Sequence, residues 1–369
     1  MAGIDGFLKA AVDMGASDLH IAVGSPPLVR QFGQLKRFKY QAITPEMSQA
    51  LLHEIISPAQ RAEFEKNWDL DFAYEIPGLA RFRSNAFFQR KGIDLCFRVV
   101  RTALPSFEQL GLPDQIKKAC GQHQGLVLIT GQAGSGKSTT LAAMVDLINE
   151  TRAHHVLTVE DPIEFVHSNK QAAVNQRQLG TNTRSFANAL KAALRQDPDV
   201  IMVGELRDLE TISLAISASE TGHLVIGSMN TSSAHKTVDK IIDSYPSGQQ
   251  NQIRAMLGES LKLVFSQRLL PRADGKGVVL GYEVLMGSIQ LGNLIKDGKT
   301  FQIPNIMQTG RAAGNRTLDD TLLELVKAGA ITGEIAFQNA FNTKPFAQWA
   351  AGAARPAQSP PGPTRPPGR

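Results

Sequence analysis

Residues 131–138 read Gly131-Gln132-Ala133-Gly134-Ser135-Gly136-Lys137-Ser138, a complete Gly-x-x-x-x-Gly-Lys-Ser. The stretch follows an apolar run, Leu126-Val127-Leu128-Ile129, and precedes Leu141, Met144, Val145 and Ile148, which are spaced for a helix. A strand, a glycine-rich loop and a helix in that order make a phosphate cradle. The glycines let backbone N–H groups turn toward an anion with no Cβ in the way. The helix start adds unpaired donors and the positive end of its dipole. The loop therefore predicts binding of a nucleoside triphosphate through Gly131, Ala133, Gly134, Ser135, Gly136, Lys137, Ser138 and Thr139. Lys137 is expected to reach the β- and γ-phosphates, and the Ser138 hydroxyl to sit on the accompanying metal, so that ATP and Mg²⁺ are the expected cofactors.

Bulk properties narrow the classes around that loop. The 369 residues leave room for two domains. A hydrophobic fraction of 42% supplies full cores, and 20% charged residues is ordinary for a soluble protein. A net charge of +5 is too small to argue for nucleic acid, and Arg355, Arg365 and Arg369 near the C-terminus carry part of it. The two cysteines, Cys96 and Cys120, exclude a four-thiolate zinc site and argue against a disulfide framework. Residues 1–9 lack the basic-then-apolar pattern of a signal peptide. No apolar run approaches the ~20 residues of a membrane span. With a loop that needs an ATP pool, the expected location is the cytoplasm.

Texture divides the chain. Residues 1–100 combine an expected helix at 4–14, a helical stretch at 45–56 and strands near 69–75, 80–89 and 92–100, which predicts an α+β domain of antiparallel character. Residues 101–113, with two prolines and a glycine, read as a linker. From 114 to 349, apolar runs at 126–129, 156–159, 200–203 and 224–226 alternate with helical stretches, the pattern of a mostly parallel sheet covered on both faces. The part from about 245 reads as helical, with a hairpin near 272–285. Residues 350–369 carry six prolines with alanine, glycine and arginine, which predicts a disordered tail.

Three further stretches carry chemistry. Thr158-Val159-Glu160-Asp161-Pro162-Ile163-Glu164-Phe165 puts carboxylates at a strand's C-terminal end, the side on which α/β sheets bind ligands. Glu164 is the candidate to orient or deprotonate a water, and Glu160 to help hold the metal's water shell. Asp199 to Asp208 is an apolar strand that runs into Gly204-Glu205-Leu206-Arg207, and Glu205 is the candidate carboxylate beside Mg²⁺. Arg207 and Asp208 read either as functional or as a surface ion pair. In Glu220-Thr221-Gly222-His223, the histidine opens the fourth apolar run, and its place in the series points to a link between nucleotide state and sheet.

These motifs, in this order, resemble the secretion and pilus motor ATPases, specifically the type IV pilus retraction ATPases of the PilT type. The resemblance covers residues 1–345 and includes Ala16-Ser17-Asp18-Leu19-His20, Gly24-Ser25-Pro26-Pro27, Arg81-Phe82-Arg83-Ser84-Asn85 and Ser266-Gln267. It implies an α/β chain in which an N-terminal PAS-like α+β domain precedes a RecA-like P-loop ATPase domain with a helical C-terminal part. It further implies a homohexamer that hydrolyses ATP to power pilus retraction and twitching motility, acting with an inner-membrane platform protein at the cytoplasmic face. By motif match, Arg81, Arg83 and Arg98 are the arginines that complete the phosphate site. A guanidinium suits charge developing on γ-phosphate oxygens and contributes ~10³–10⁵ in rate where it acts. The alternatives are a pilus-assembly or type II secretion ATPase, whose usual four-cysteine zinc insert is missing here, and a nucleotide-binding accessory subunit with little hydrolysis. A DNA-processing ATPase would want an aromatic and basic stacking platform, which the sequence does not display.

The chain departs from the family's pattern at three places. Ala133 stands where threonine is usual, a mild change because backbone groups do the holding. Gly292, in Ile289-Gln290-Leu291-Gly292-Asn293-Leu294-Ile295-Lys296, replaces an arginine of a stretch that matters in the family for retraction. Asn230 replaces a second histidine, and an amide can donate to a phosphate oxygen but cannot take up charge. Slower turnover is expected as a result, so Asn230→His should raise the steady-state ATPase rate. An unchanged or lower rate in that variant would count against a handicap at this position.

Overall fold

A computed structural model of the chain describes residues 3–31, 34–100 and 104–350. The expected tail at 350–369 lies, beyond its first residue, outside the described residues, as do residues 101–103 of the expected linker. By contact the described chain forms two units. One comprises the residues up to Leu104 together with Glu160–Ser168 and Gln176–Asn182; the other comprises Pro105–Val159, Asn169–Asn175 and the residues from Thr183 on.

The first unit is built on a six-stranded antiparallel sheet. Its strands are β1 (Asp18–Ile21), β2 (Leu28–Gln31), β3 (Gln34–Arg37), β4 (Asp69–Ile76), β5 (Ala80–Gln89) and β6 (Gly92–Val100), in the order β3-β2-β1-β6-β5-β4. Alternation decides which face each residue takes. On β5, Ala80, Phe82, Ser84 and Ala86 are buried, and Arg81, Arg83 and Asn85 face the other way. Phe82, Phe97, Leu95, Leu19 and Ile21 pack with Leu8 and Leu52 of the helices Asp5–Asp13 and Pro45–His53 into one core. Both helices fall inside the stretches expected from spacing. Proline stops the second from starting earlier: Pro45 occupies the first turn and the Thr44 hydroxyl caps it, accepting from the Met47 N–H.

The second unit carries a seven-stranded sheet of order β13-β12-β7-β11-β10-β8-β9. The strands are β7 (Gly125–Thr130), β8 (His155–Glu160), β9 (Ala173–Gln178), β10 (Val200–Val203), β11 (Leu224–Met229), β12 (Leu261–Pro271) and β13 (Val278–Met286). Strands β12, β7, β11, β10 and β8 run parallel. All six residues of β7 are buried. Leu126 and Leu128 join a core with the helices Leu209–Glu220, Ala234–Asp243 and Gln250–Ser260, while Val127 and Ile129 are buried on the opposite face. Both faces are therefore covered, which is why the run reads as continuous apolar sequence rather than alternation. The four apolar runs are all strands. The reading of residues beyond 245 as helical is corrected at 261–271: the hairpin's first strand, β12, is long and lies parallel against β7, a pairing that no local pattern announces.

Gly292 has a packing reason. Where the helices Gln250–Ser260 and Ile289–Lys296 meet, a Cβ on Gly292 would lie 2.5 Å from the Gly258 carbonyl oxygen, and one on Gly258 would lie 2.9 Å from the Gly292 oxygen. Backbone meets backbone, so nothing flexible gives way. Gly292→Arg, which restores the family's residue, should therefore cost about 1–3 kcal/mol by overpacking. A thermal melt should show the variant unfolding several degrees below the wild type; coincident melts would sink this account.

Candidate active site

Strand β7 delivers the glycine loop to the C-terminal edge of the sheet. Gly131, at φ 150°, admits no side chain: a Cβ there would sit 2.4 Å from Ser135 Oγ and 2.5 Å from the Gln267 carbonyl oxygen. Gly134 and Gly136 take left-handed backbone, at φ 76° and 89°. Gly136 is also the N-cap of the helix Lys137–Thr151, whose unpaired N–H groups open toward the loop. Ala133 and Ser138 are exposed, and Thr139 is half-buried. The hydroxyls of Ser135 and Thr130 are buried without a hydrogen-bond partner among the described residues. This cradle fits a polyphosphate, since its glycines bring no side chain of their own and the helix start supplies unpaired backbone donors. Ser138 in the helix's first turn and the Glu205 carboxylate are hard oxygen donors of the kind Mg²⁺ takes together with phosphate.

Three strand ends meet at Lys137. Its ammonium donates to the carbonyls of Gly131 at 2.9 Å and Gln132 at 3.0 Å, and to Asn230 Oδ1 at 2.8 Å. The Asn230 amide nitrogen in turn donates to Glu205 Oε1 at 2.5 Å, and Arg207 holds Glu205 Oε2 at 2.6 Å. Burial pulls the Lys137 ammonium below its usual pKa, opposed by the Glu205 carboxylate. Glu205 is positioned by its turn: the Gly204 N–H donates to the Val159 carbonyl, Ser228 Oγ to the Gly204 carbonyl, and the Leu206 N–H to the Ser228 carbonyl. Asp208 caps the helix Leu209–Glu220 through the Thr211 N–H and hydroxyl, and Arg207 reaches Glu205. That resolves the two readings of this pair in favour of separate tasks.

Beside the loop, Leu112, Gly136, Thr139, Thr140, Leu269 and Tyr282 are among the walls of a cavity of about 600 Å³. Its size and its mix of apolar and aromatic walls suit a small organic ligand. His223 is elsewhere. It precedes β11 at the other edge of the sheet, where its ring nitrogen Nδ1 lies 3.1 Å from the Ala218 carbonyl oxygen. Leu224 pairs with Gly125 and Met229 with Thr130, so nearly the whole strand, at ~3.3 Å per residue, separates His223 from the loop. The structure does not bring it to Lys137.

The other candidates belong to the first unit. Arg81, Arg83 and Arg98 share one face of its sheet, with Arg83 directly opposite Arg98 on the neighbouring strand. Arg98 Nε donates to Asp18 Oδ1 at 3.0 Å, and Arg83 is exposed. Arg81 Nη2 donates to Gln178 Oε1 at 3.1 Å, the same oxygen that accepts the Ile163 N–H at 3.2 Å. Gln176 donates to Glu160 Oε1 at 3.0 Å and to the Phe165 carbonyl at 2.8 Å. The carboxylate stretch of Glu160 and Glu164, both half-buried, is thus folded over two glutamines of β9 and joined through one of them to Arg81. Gln176 and Gln178 were not picked out by sequence, because isolated polar residues in a polar strand give no signal of their own.

The loop after β11 has its own anchor. Glu283 of β13 is buried and accepts the Ala234 N–H, while Arg268 donates to the carbonyls of Ser232 and Asn339. Burial pushes the Glu283 carboxyl up to about 7, with the Ala234 N–H and Arg268 pulling it down and Asp319 adding to the rise. A carboxyl whose pKa is raised in the folded state favours folding while it is protonated. That contribution is full below the unfolded value near 4.5 and is lost as pH rises through about 7. Thermal melts between pH 5 and 8 should therefore show the wild type losing stability relative to Glu283→Gln, by up to ~3 kcal/mol. Parallel pH profiles for the two proteins would contradict it.

A family model described as "Type II/IV secretion system protein" matches residues 3–278. The chain is 45% identical over 333 residues to the "Type IV pilus retractation ATPase PilT" of Pseudomonas aeruginosa, which spans 90% of this chain and 96% of that protein. It is 46% identical over 318 residues to a "Twitching motility protein" of Neisseria gonorrhoeae, covering 86% of this chain and 85% of the relative. Among solved structures, the "Pilus Retraction Motor PilT and Bound ADP" superposes with a TM-score of 0.87 at 44% identity, over 93% of this chain and 98% of the other.

Proposed function

Since the chain belongs to the type II/IV secretion system protein family, we propose that it is a motor ATPase that hydrolyses ATP to power retraction of a type IV pilus. The observation that carries the reading is near end-to-end similarity to a named retraction ATPase, with a complete phosphate loop whose Lys137 is joined through Asn230 to Glu205. Support for a RecA-like ATPase domain comes from the strand order β12-β7-β11-β10-β8 with the loop on the interior strand β7. The first unit's antiparallel sheet, with β1 between β2 and β6 and helices packed on one face, supports the PAS-like assignment. The working form is a homohexamer at the cytoplasmic face of the inner membrane, acting on a platform protein of the pilus machinery. Among the described residues no helix is long and apolar enough to cross a membrane.

The residues take these tasks. Lys137 and the loop N–H groups bind the β- and γ-phosphates of ATP, and the cavity lined by Leu112, Leu269 and Tyr282 receives its nucleoside. Mg²⁺, when bound, would supply charge neutralisation for the phosphates. Ser138 and Glu205 would hold it, and Glu160 would order its water shell. Glu164 orients the attacking water and takes its proton. Arg81, Arg83 and Arg98 meet the charge that develops on the γ-phosphate oxygens. Asn230 couples Lys137 to Glu205, so phosphate contact at the one alters the hydrogen bonding of the other. His223 has no direct part in the reaction.

Two measurements test this. Lys137→Ala should lower the steady-state ATPase rate ~100-fold or more; an equal rate would assign the chain an accessory, non-hydrolysing role. A deletion strain complemented with Lys137→Ala should be hyperpiliated and non-motile, whereas loss of pili would reassign the motor to assembly.

A further inference from the structure

Gln267 is a polar side chain only 1% exposed, one residue beyond Ser266, whose pairing with Thr130 ends the parallel ladder between β12 and β7. Both ends of its amide are used on the phosphate loop. Nε2 donates to the Ser135 carbonyl at 2.7 Å, and Oε1 accepts from Thr140 Oγ1 at 3.0 Å. Its backbone carbonyl lies against Gly131, where a Cβ would come within 2.5 Å. One residue thus touches the start of the loop, its last peptide and the first turn of the helix behind it. Beside it the Ser135 hydroxyl is buried without a partner among the described residues.

The Ser135 contact has a directional consequence. The carbonyl of Ser135 and the N–H of Gly136 belong to one planar trans peptide and point in opposite directions. Binding the carbonyl to Gln267 therefore turns the Gly136 N–H to the opposite side, away from that contact. Between Ser135 and a glycine at φ 89° that peptide has little else to stop it from rotating. We infer that Gln267 is a positioning residue for the phosphate loop: its amide fixes the Ser135–Gly136 peptide so that the Gly136 N–H is presented to a bound phosphate, and it ties that peptide to the helix through Thr140. The inference rests on the nucleotide-binding reading given above.

Gln267→Met keeps the volume and removes both hydrogen bonds; Gln267→Glu still accepts from Thr140 but cannot donate to Ser135. Titration calorimetry with Mg²⁺ and ADP should show both variants binding about tenfold more weakly than the wild type, a difference set by the lost hydrogen bonds. In steady-state assays KM for ATP should rise about as much while kcat changes less than about threefold, because ground-state and transition-state binding are lost together. A residue serving stability alone would lower the melting temperature and the active fraction, hence kcat, and leave KM and the ADP affinity of the folded protein unchanged. Thr140→Val, a gentler change, should weaken ADP binding by about threefold and add little on top of Gln267→Met, since the two act through one contact. It decides the matter if the Gln267 variants do not fold. ADP affinity and KM within twofold of wild type in the folded variants would overturn the inference. A wild type that binds no ADP would instead overturn the nucleotide reading itself.

Discussion

Strand β7 is hydrogen-bonded along its length to parallel partners on both sides, β11 and β12, and the rest of the site follows from that double pairing. Parallel strands that are held in register end at a common edge. The residues that leave that edge are therefore brought together although they lie far apart in the chain: Gly131 after β7, Glu205 just beyond β10, Asn230 after β11 and Gln267 near the end of the parallel part of β12. Ligands collect at the carboxyl ends of such strands for this reason. Here the convergence is resolved to hydrogen bonds, from Lys137 to Asn230 to Glu205 and from Gln267 to Ser135.

A second consequence concerns the carboxylate stretch. It begins in β8, but Glu160–Ser168 groups with the antiparallel unit, as does Gln176–Asn182 at the end of β9. The acidic residues and the arginine-bearing face of β5 and β6 are therefore parts of one body, tied by Gln178 between Arg81 and Ile163. The carboxylate that would orient water and the arginines that would meet phosphate charge are in this way kept in one unit. The unit that carries them is distinct from the one that carries the phosphate loop.

The chain's departures from the family's pattern have different physical characters. Asn230 is a polar substitution in place: its amide accepts from an ammonium and donates to a carboxylate, so it bridges Lys137 and Glu205 without carrying charge itself. Gly292 is a packing substitution. It lets two helices approach until their backbones touch, with Gly258 as the matching half of the contact, so its meaning belongs to the pair rather than to the position.

The amino-acid sequence alone determined the phosphate loop, the strand before it and helix after it, the carboxylates at the ends of β8 and β10, and the alternation that puts Arg81 and Arg83 on one face. These are legible because glycine spacing, apolar runs and periods of two or 3.6 are properties of neighbouring residues. Tertiary structure decided the rest. It made β12 a partner of β7 where the sequence looked helical, moved the carboxylate stretch into the first unit, sent His223 to the far edge of the sheet, and set Gln267 against a carbonyl 132 residues away. The register between strands and the mutual burial of distant side chains are set only when the chain closes on itself. A buried glutamine whose amide bonds one loop carbonyl and one helix hydroxyl leaves no periodic trace along the chain, because both partners lie in the loop and helix that follow another strand.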